Sequence, residues 1–283
     1  MTRWMATVAL LACAGACGGG DSGPDSAEEA APGRETTPRT AALETGANLL
    51  QSKGPVEQIA YYLVGFHPSK ADPTQQMEAH HYCNQLNEDF AQCVLFDGNS
   101  DDARMVGIEY IVSAATYEAL PDAEKAYWHP HNFEILSGQL RMPGLPDAVE
   151  KAAMTTKLNS YGKTWHTWMT AAPGHDGDPL PLGPAQLQWS FNRDGEVEPG
   201  LVEARDKRMG LDTADARADR QDLVQHARPQ GGVDALAGAF PGATLPDGVR
   251  DNGDTATHAV PVVEMRPPPV PSADRRHAPP PGG

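Results

Sequence analysis

The sequence has no run of basic residues. Its 22 Lys and Arg are outnumbered by 38 Asp and Glu, a formal net charge of −16 over 283 residues. Nucleic acid demands a positive footprint on its partner, so that class is excluded. The same acidic balance favours solubility and repels an anionic membrane surface. There is no Gly-x-Ser-x-Gly elbow to present a nucleophilic serine. Phosphate-loop and dinucleotide fingerprints are missing as well. The apolar stretch from Trp4 to Ala12 is too short to span a bilayer as a helix. Only four cysteines occur: Cys13, Cys17, Cys83 and Cys93. What the chain does have in excess is Gly (28) and Pro (26), concentrated at its two ends. That is the composition of tails rather than of a core.

The first 20 residues read as an export signal. Met1-Thr2-Arg3 carries one positive charge, Trp4 to Ala12 is apolar, and Ala14-Gly15-Ala16-Cys17 supplies small residues before a cut. A cysteine at that position, followed by glycines, resembles the bacterial lipoprotein signal, in which the cysteine is acylated. Cys17 is the expected acylation site because the Gly-rich tether begins right after it; Cys13 is the alternative. An ordinary cleaved signal peptide is the plain reading. The domain plan is a signal over 1–17, a disordered tether over 18–47, a folded domain over 48–212 and a Pro/Gly-rich disordered tail over 213–283. The implied location is the bacterial cell envelope, on the periplasmic or outer-membrane face, with membrane lipid as the anchor's partner.

Within the domain, Ile59, Tyr62, Leu63 and Phe66 fall at helical spacing behind Pro55 and predict an amphipathic helix. Residues 79–86 and 90–96 flank Asn87-Glu88-Asp89 and predict a hairpin. In that register Cys83 faces Cys93, either as a disulfide or as two buried thiols. Ala103 to Val112 reads as a central strand, apolar on both faces, on which Glu109 requires a partner. Short helical turns follow on either side of Pro121. Later elements are a helix over 147–158, with Gly162 as its stop signal, and a strand over 164–169. A strand over 186–192 and a helix over 201–209 complete the set. The sum is an α+β single domain with a mainly antiparallel sheet and several short helices, flanked by disordered tails.

Chemistry concentrates in Trp128-His129-Pro130-His131-Asn132-Phe133-Glu134. On an extended chain His129 and His131 share one face, about 6.6 Å apart. His166 sits on a second predicted strand, and only one of His80 and His81 can join any one cluster. The candidate metal ligands are therefore His129, His131, His166, His81 or His80, and Glu109. Imidazole and carboxylate donors suit divalent Zn, Fe, Mn or Cu. His-x-His followed by Glu and Gly is similar to the first cupin motif, although no second motif follows. On a regular strand Glu134 faces away from both histidines, which removes it from the ligand set. The competing reading makes these histidines hydrogen-bonded interior groups.

The folded region is similar to the oil body-associated protein family of seed plants, which has fungal and bacterial relatives. The resemblance is carried in order by His80-His81-Tyr82-Cys83, Leu86-Asn87-Glu88-Asp89, Gln92-Cys93, Gly107-Ile108-Glu109-Tyr110-Ile111, Trp128-His129-Pro130-His131, Phe133-Glu134, Ser137-Gly138, Tyr161-Gly162-Lys163-Thr164 and Leu180-Pro181-Leu182-Gly183. It implies one domain of that family, across about residues 48–210. Plant members are associated with seed lipid bodies, and the domain's biochemical activity is not established. They keep the matching cysteines in a reducing cytosol, which supports the free-thiol alternative. Three functions are consistent with the sequence: a lipid-anchored envelope protein that binds something apolar, a metal-dependent enzyme or metal binder, and a structural interaction protein.

Overall fold

The computed structural model describes residues 34–170 and 177–261. The signal, Cys13, Cys17 and the last part of the tail lie outside the described residues. The first element is α1 (Pro38–Leu50), where Thr37 caps the Thr40 amide and Pro38 opens the first turn. None of its residues is buried. The tether predicted to be featureless through residue 47 thus contains a capped helix, built from Ala, Leu and Glu, good helix formers.

The domain is an antiparallel sheet of seven strands. Along it run β1 (Tyr61–Pro68), β2 (Gln76–Asn87), β3 (Phe90–Phe96), β4 (Met105–Val112) and then β6 (Tyr161–His166). The far edge of β6 is shared. The two-residue β5 (His129–Pro130) pairs with Tyr161 and Gly162, and β7 (Gln186–Gln188) pairs with Thr164 to His166. The predicted hairpin is β2–β3, with a bulge between Gln85 and Asn87. Cys83 and Cys93 are direct partners in it and form a disulfide, with Cα atoms 4.1 Å apart.

Two predictions about local structure are overturned. The helix over 55–66 is only a single turn, α2 (Gly54–Glu57), after which β1 begins. Tyr61-Tyr62-Leu63-Val64-Gly65-Phe66 is rich in strand-favouring residues, and from Leu63 onward the strand is buried on both faces, so period-3.6 positions and buried positions coincide. The helical turns predicted on either side of Pro121 are α3 (Ala114–Glu118) and α4 (Asp122–Lys125). The extended run read through Trp128 to Glu134 stops at Pro130. A helical turn, α5 (Asn132–Leu136), follows. Its start is satisfied from far along the chain: Gln230 Oε1 accepts from the Asn132 amide at 3.0 Å, and Asn132 Nδ2 donates to Arg228 O at 2.6 Å. Beyond it, Arg141 makes an isolated bridge with Val64.

α6 (Asp147–Lys157) and α7 (Leu201–Met209) fall where predicted. Gly162, however, lies inside β6 and does not end α6. The domain boundary at 212 also requires correction. Residues 213–261 form α8 (Thr213–Asp219), several 3-10 turns and loops, and they bury Leu223, Val233, Leu236 and Val249 in the core. Arg220, buried among them, donates to Ile135 O and Leu140 O and pairs with Glu150, which Arg141 also holds in a two-pronged ion pair. Lys70 sits 3.6 Å above the Trp189 ring and donates to Thr257 O at 2.7 Å, fastening the end of this segment to the loop after β1.

In antiparallel pairs, directly opposed residues share a face. Following the register, Leu63, His81, Leu95, Gly107 and His166 form one line across the sheet, with Cys83, Cys93, Glu109 and Thr164 in the next. This face is covered by α5, α6 and the C-terminal segment and is buried. β4 is interior to the sheet as predicted; its other face is buried at Val106 and Val112 but exposed at Ile108 and Tyr110.

Candidate metal centre

Glu109 projects from the middle of β4 into the closed face. Its two oxygens look in different directions. Oε2 lies 2.8 Å from His81 Nε2 and 3.9 Å from His67 Nε2. Oε1 lies 3.3 Å from His131 Nε2 and 3.5 Å from His129 Nε2. Glu134 Oε2 is 3.9 Å from His131 Nε2. Every one of these side chains is buried, and His129 is 0 % exposed.

The backbone makes this convergence possible. β5 delivers His129 against Gly162, its register partner on β6. A Cβ on Gly162 would lie 2.1 Å from Glu109 Oε1 and 2.5 Å from His129 Nε2, so only glycine leaves room for the two side chains. The turn into α5 then brings Glu134 back beneath His131, at i+3. The sequence reading set Glu134 aside because it assumed a continuous strand; the helical turn reverses that assignment.

Of the sequence candidates, His129, His131, His81 and Glu109 meet directly. His166 is on the same face but one step out, with Nε2 3.4 Å from His67 Nδ1. His80 points to the opposite face, where its Nδ1 is 2.6 Å from the Tyr62 hydroxyl and its Nε2 is 2.9 Å from Glu78. His67 was missed altogether. It directly follows the segment misread as helical, and its alternation with Leu63 and Gly65 on a strand was the signal that would have revealed it.

The electrostatics follow from burial. His67, His131 and His166 are shifted down because desolvation penalises the imidazolium, His131 to about 4 and His166 to about 3. Burial pushes Glu134 well above the carboxylate range, and the charge on Glu109 adds to the effect. Glu109 is also desolvated, but the His81 charge and hydrogen bonds from His131 and His81 outweigh this and hold it ionised.

Ser160 Oγ donates to Lys157 O at 2.7 Å and lies 2.8 Å from His131 Nδ1, which fixes the ring with Nε2 toward Glu109. Among the described residues, both nitrogens of His129, Nδ1 of His81, Nδ1 of His166 and the Thr164 hydroxyl have no hydrogen-bond partner. Of these, His129 Nε2 lies beside the Glu109 carboxylate, and imidazole with carboxylate is a pairing able to hold a divalent cation. Two overlapping groups have ligand atoms all within 4.8 Å of one another: His67, Glu109 and His129, and His129, His131 and Glu134.

Comparison with known proteins places the chain. A family described as "Protein of unknown function (DUF1264)" matches residues 53–224. Oil body-associated protein 1A of Zea mays is 40% identical over 208 residues, covering 74% of this chain and 84% of the relative. Oil body-associated protein 1B of Arabidopsis thaliana is 36% identical over 208 residues, 74% of this chain and 83% of the relative. Oil body-associated protein 2A of Zea mays is 40% identical over 205 residues, 72% and 80%. No solved structure matches. Through the matched domain, which contains Glu109 and all of its facing histidines, the chain belongs to the DUF1264 family, that of the oil body-associated proteins.

Proposed function

We propose that the domain is a binding site for a divalent first-row metal ion, centred on Glu109. The observation that carries this reading is His129, fully buried, whose two ring nitrogens have no hydrogen-bond partner and whose Nε2 lies 3.5 Å from Glu109 Oε1. Two ligands about 2.1 Å from one ion at the tetrahedral angle are about 3.4 Å apart. The 3.3 and 3.5 Å separations of His131 and His129 from Oε1 are of that size. Nitrogen and oxygen donors without thiolate favour zinc, manganese or iron(II). The test is elemental analysis of the full chain purified without a histidine tag, then stripped and reloaded. Stoichiometric metal that falls at least tenfold in E109Q supports the reading; no metal in either protein refutes it.

We also propose that the chain is exported and held at a membrane through acylated Cys17, with Cys13 the alternative. The Cys83–Cys93 disulfide supports this location, because such bonds persist in oxidising compartments. The relatives' names associate those proteins with oil bodies; for this chain the corresponding lipid contact is the anchor. Mass spectrometry of the N-terminal peptide decides it, and an unmodified N-terminus beyond residue 17 would refute it.

A further inference from the structure

We infer that the centre binds two ions, with the Glu109 carboxylate as the bridge; this rests on the metal-binding reading above. A single ion uses one oxygen of a carboxylate, or both from the same side. Here the two oxygens serve different partners. Oε1 faces His129 and His131, at 3.5 and 3.3 Å, with Glu134 on the far side of His131. Oε2 faces His67 and His81, at 3.9 and 2.8 Å. Each oxygen thus has its own pair of imidazole Nε2 atoms.

Ligands bound at about 2.0–2.2 Å to one ion lie within about 4.4 Å of each other. The two compact ligand groups share His129: one joins it to His67 and Glu109, the other to His131 and Glu134. One ion takes His129, His131 and Glu134, with Glu109 Oε1 beside them. The second takes Glu109 Oε2 and His67, and His81, outside both groups but 2.8 Å from that oxygen, is its further donor. A carboxylate bridge of this kind spans ions about 3.5–4 Å apart.

The far sides of the rings support the division. His131 Nδ1 is 2.8 Å from Ser160 Oγ, and His67 Nδ1 is 3.4 Å from His166 Nε2, so each half has one ring oriented with Nε2 inward. The role of His166 is then to position His67. The contact of His81 Nε2 with Oε2 is a hydrogen bond whose proton is released to solvent as the second ion binds. The centre is closed to bulk water, which retains ions once bound.

The experiment is metal stoichiometry on the full, tag-free chain. Stripped protein is titrated with zinc(II) and read by native mass spectrometry, and separately with manganese(II) and read by electron paramagnetic resonance. Two zinc ions per chain are expected, together with loss of the six-line manganese signal into a coupled spectrum at two equivalents. The H131Q/E134Q pair and the H67Q/H81Q pair should each retain one ion. One ion in the wild type, or two manganese ions with uncoupled spectra, overturns the bridge and leaves the metal-binding reading intact. No ion overturns both. If a variant pair fails to fold, the wild-type count and the coupling still decide.

Discussion

Glu109 is a carboxylate on the inner face of a sheet, where an unpaired charge would be prohibitive. Four imidazoles surround it, and Gly162 is the space that lets them do so. Replacing Gly162 with Ala drives a Cβ into Glu109 Oε1 and His129 Nε2. The expected cost is on the order of 1–3 kcal/mol of stability, together with at least a tenfold loss in metal affinity. Urea denaturation and metal titration of G162A check both, and wild-type values would show that the packing is looser than described. A second prediction concerns acid. In the unfolded chain His131 takes up a proton near 6.5, but in the fold only near 4. Between those values the unfolded chain binds more protons, so stability present above pH 6.5 is lost as pH falls toward 4. That interval is worth on the order of 3 kcal/mol. Denaturation at several pH values with chelator present should show the decline, and H131Q should flatten it. Equal slopes in the two proteins would contradict the burial argument.

At the level of elements, the hairpin was legible because alternation, a polar turn and paired cysteines agree. The Cys83–Cys93 bond closes a short loop, with a sequence separation of 10. Loop closure of that length contributes roughly 2–3 kcal/mol. Reduction, or a C83A/C93A pair, should lower stability by about that much while the fold persists; no change on reduction would mean the thiols are free. Where the reading failed, the cause was local pattern competing with long-range contact. β1 mimics a helix because a strand buried on both faces has no period of its own, and His67 was lost with it. α5 could not be seen because its N-terminus is capped by Gln230 and Arg228, nearly 100 residues away. The chemistry of the site was therefore partly visible: His129, His131, His81 and Glu109 could be named from spacing and burial. Glu134 depended on a turn that local sequence does not specify.

For the whole molecule, the C-terminal segment is structural. Polar composition suggested that the fold ends near 212. Yet Leu223, Val233 and Val249 are buried in the core, and Arg220 holds Glu150 and two backbone carbonyls of the α5 region. Sparse apolar residues without periodicity are weak signals, and here the stabilising contacts are made by single side chains between turns. A chain ending at Gly210 is expected to lose its cooperative thermal transition, whereas one ending at Pro261 should keep it. A sharp, unshifted melt for the shorter chain would return the segment to the status of a tail. The sheet, the helices over it and this segment together exclude water from one carboxylate and its histidines. X-ray absorption of the zinc-loaded, tag-free chain tests that account most directly. Nearest neighbours at about 2.0–2.1 Å with the multiple scattering of imidazole are predicted, and no sulfur at about 2.3 Å. A spectrum of water oxygens alone, or one containing sulfur, would contradict it.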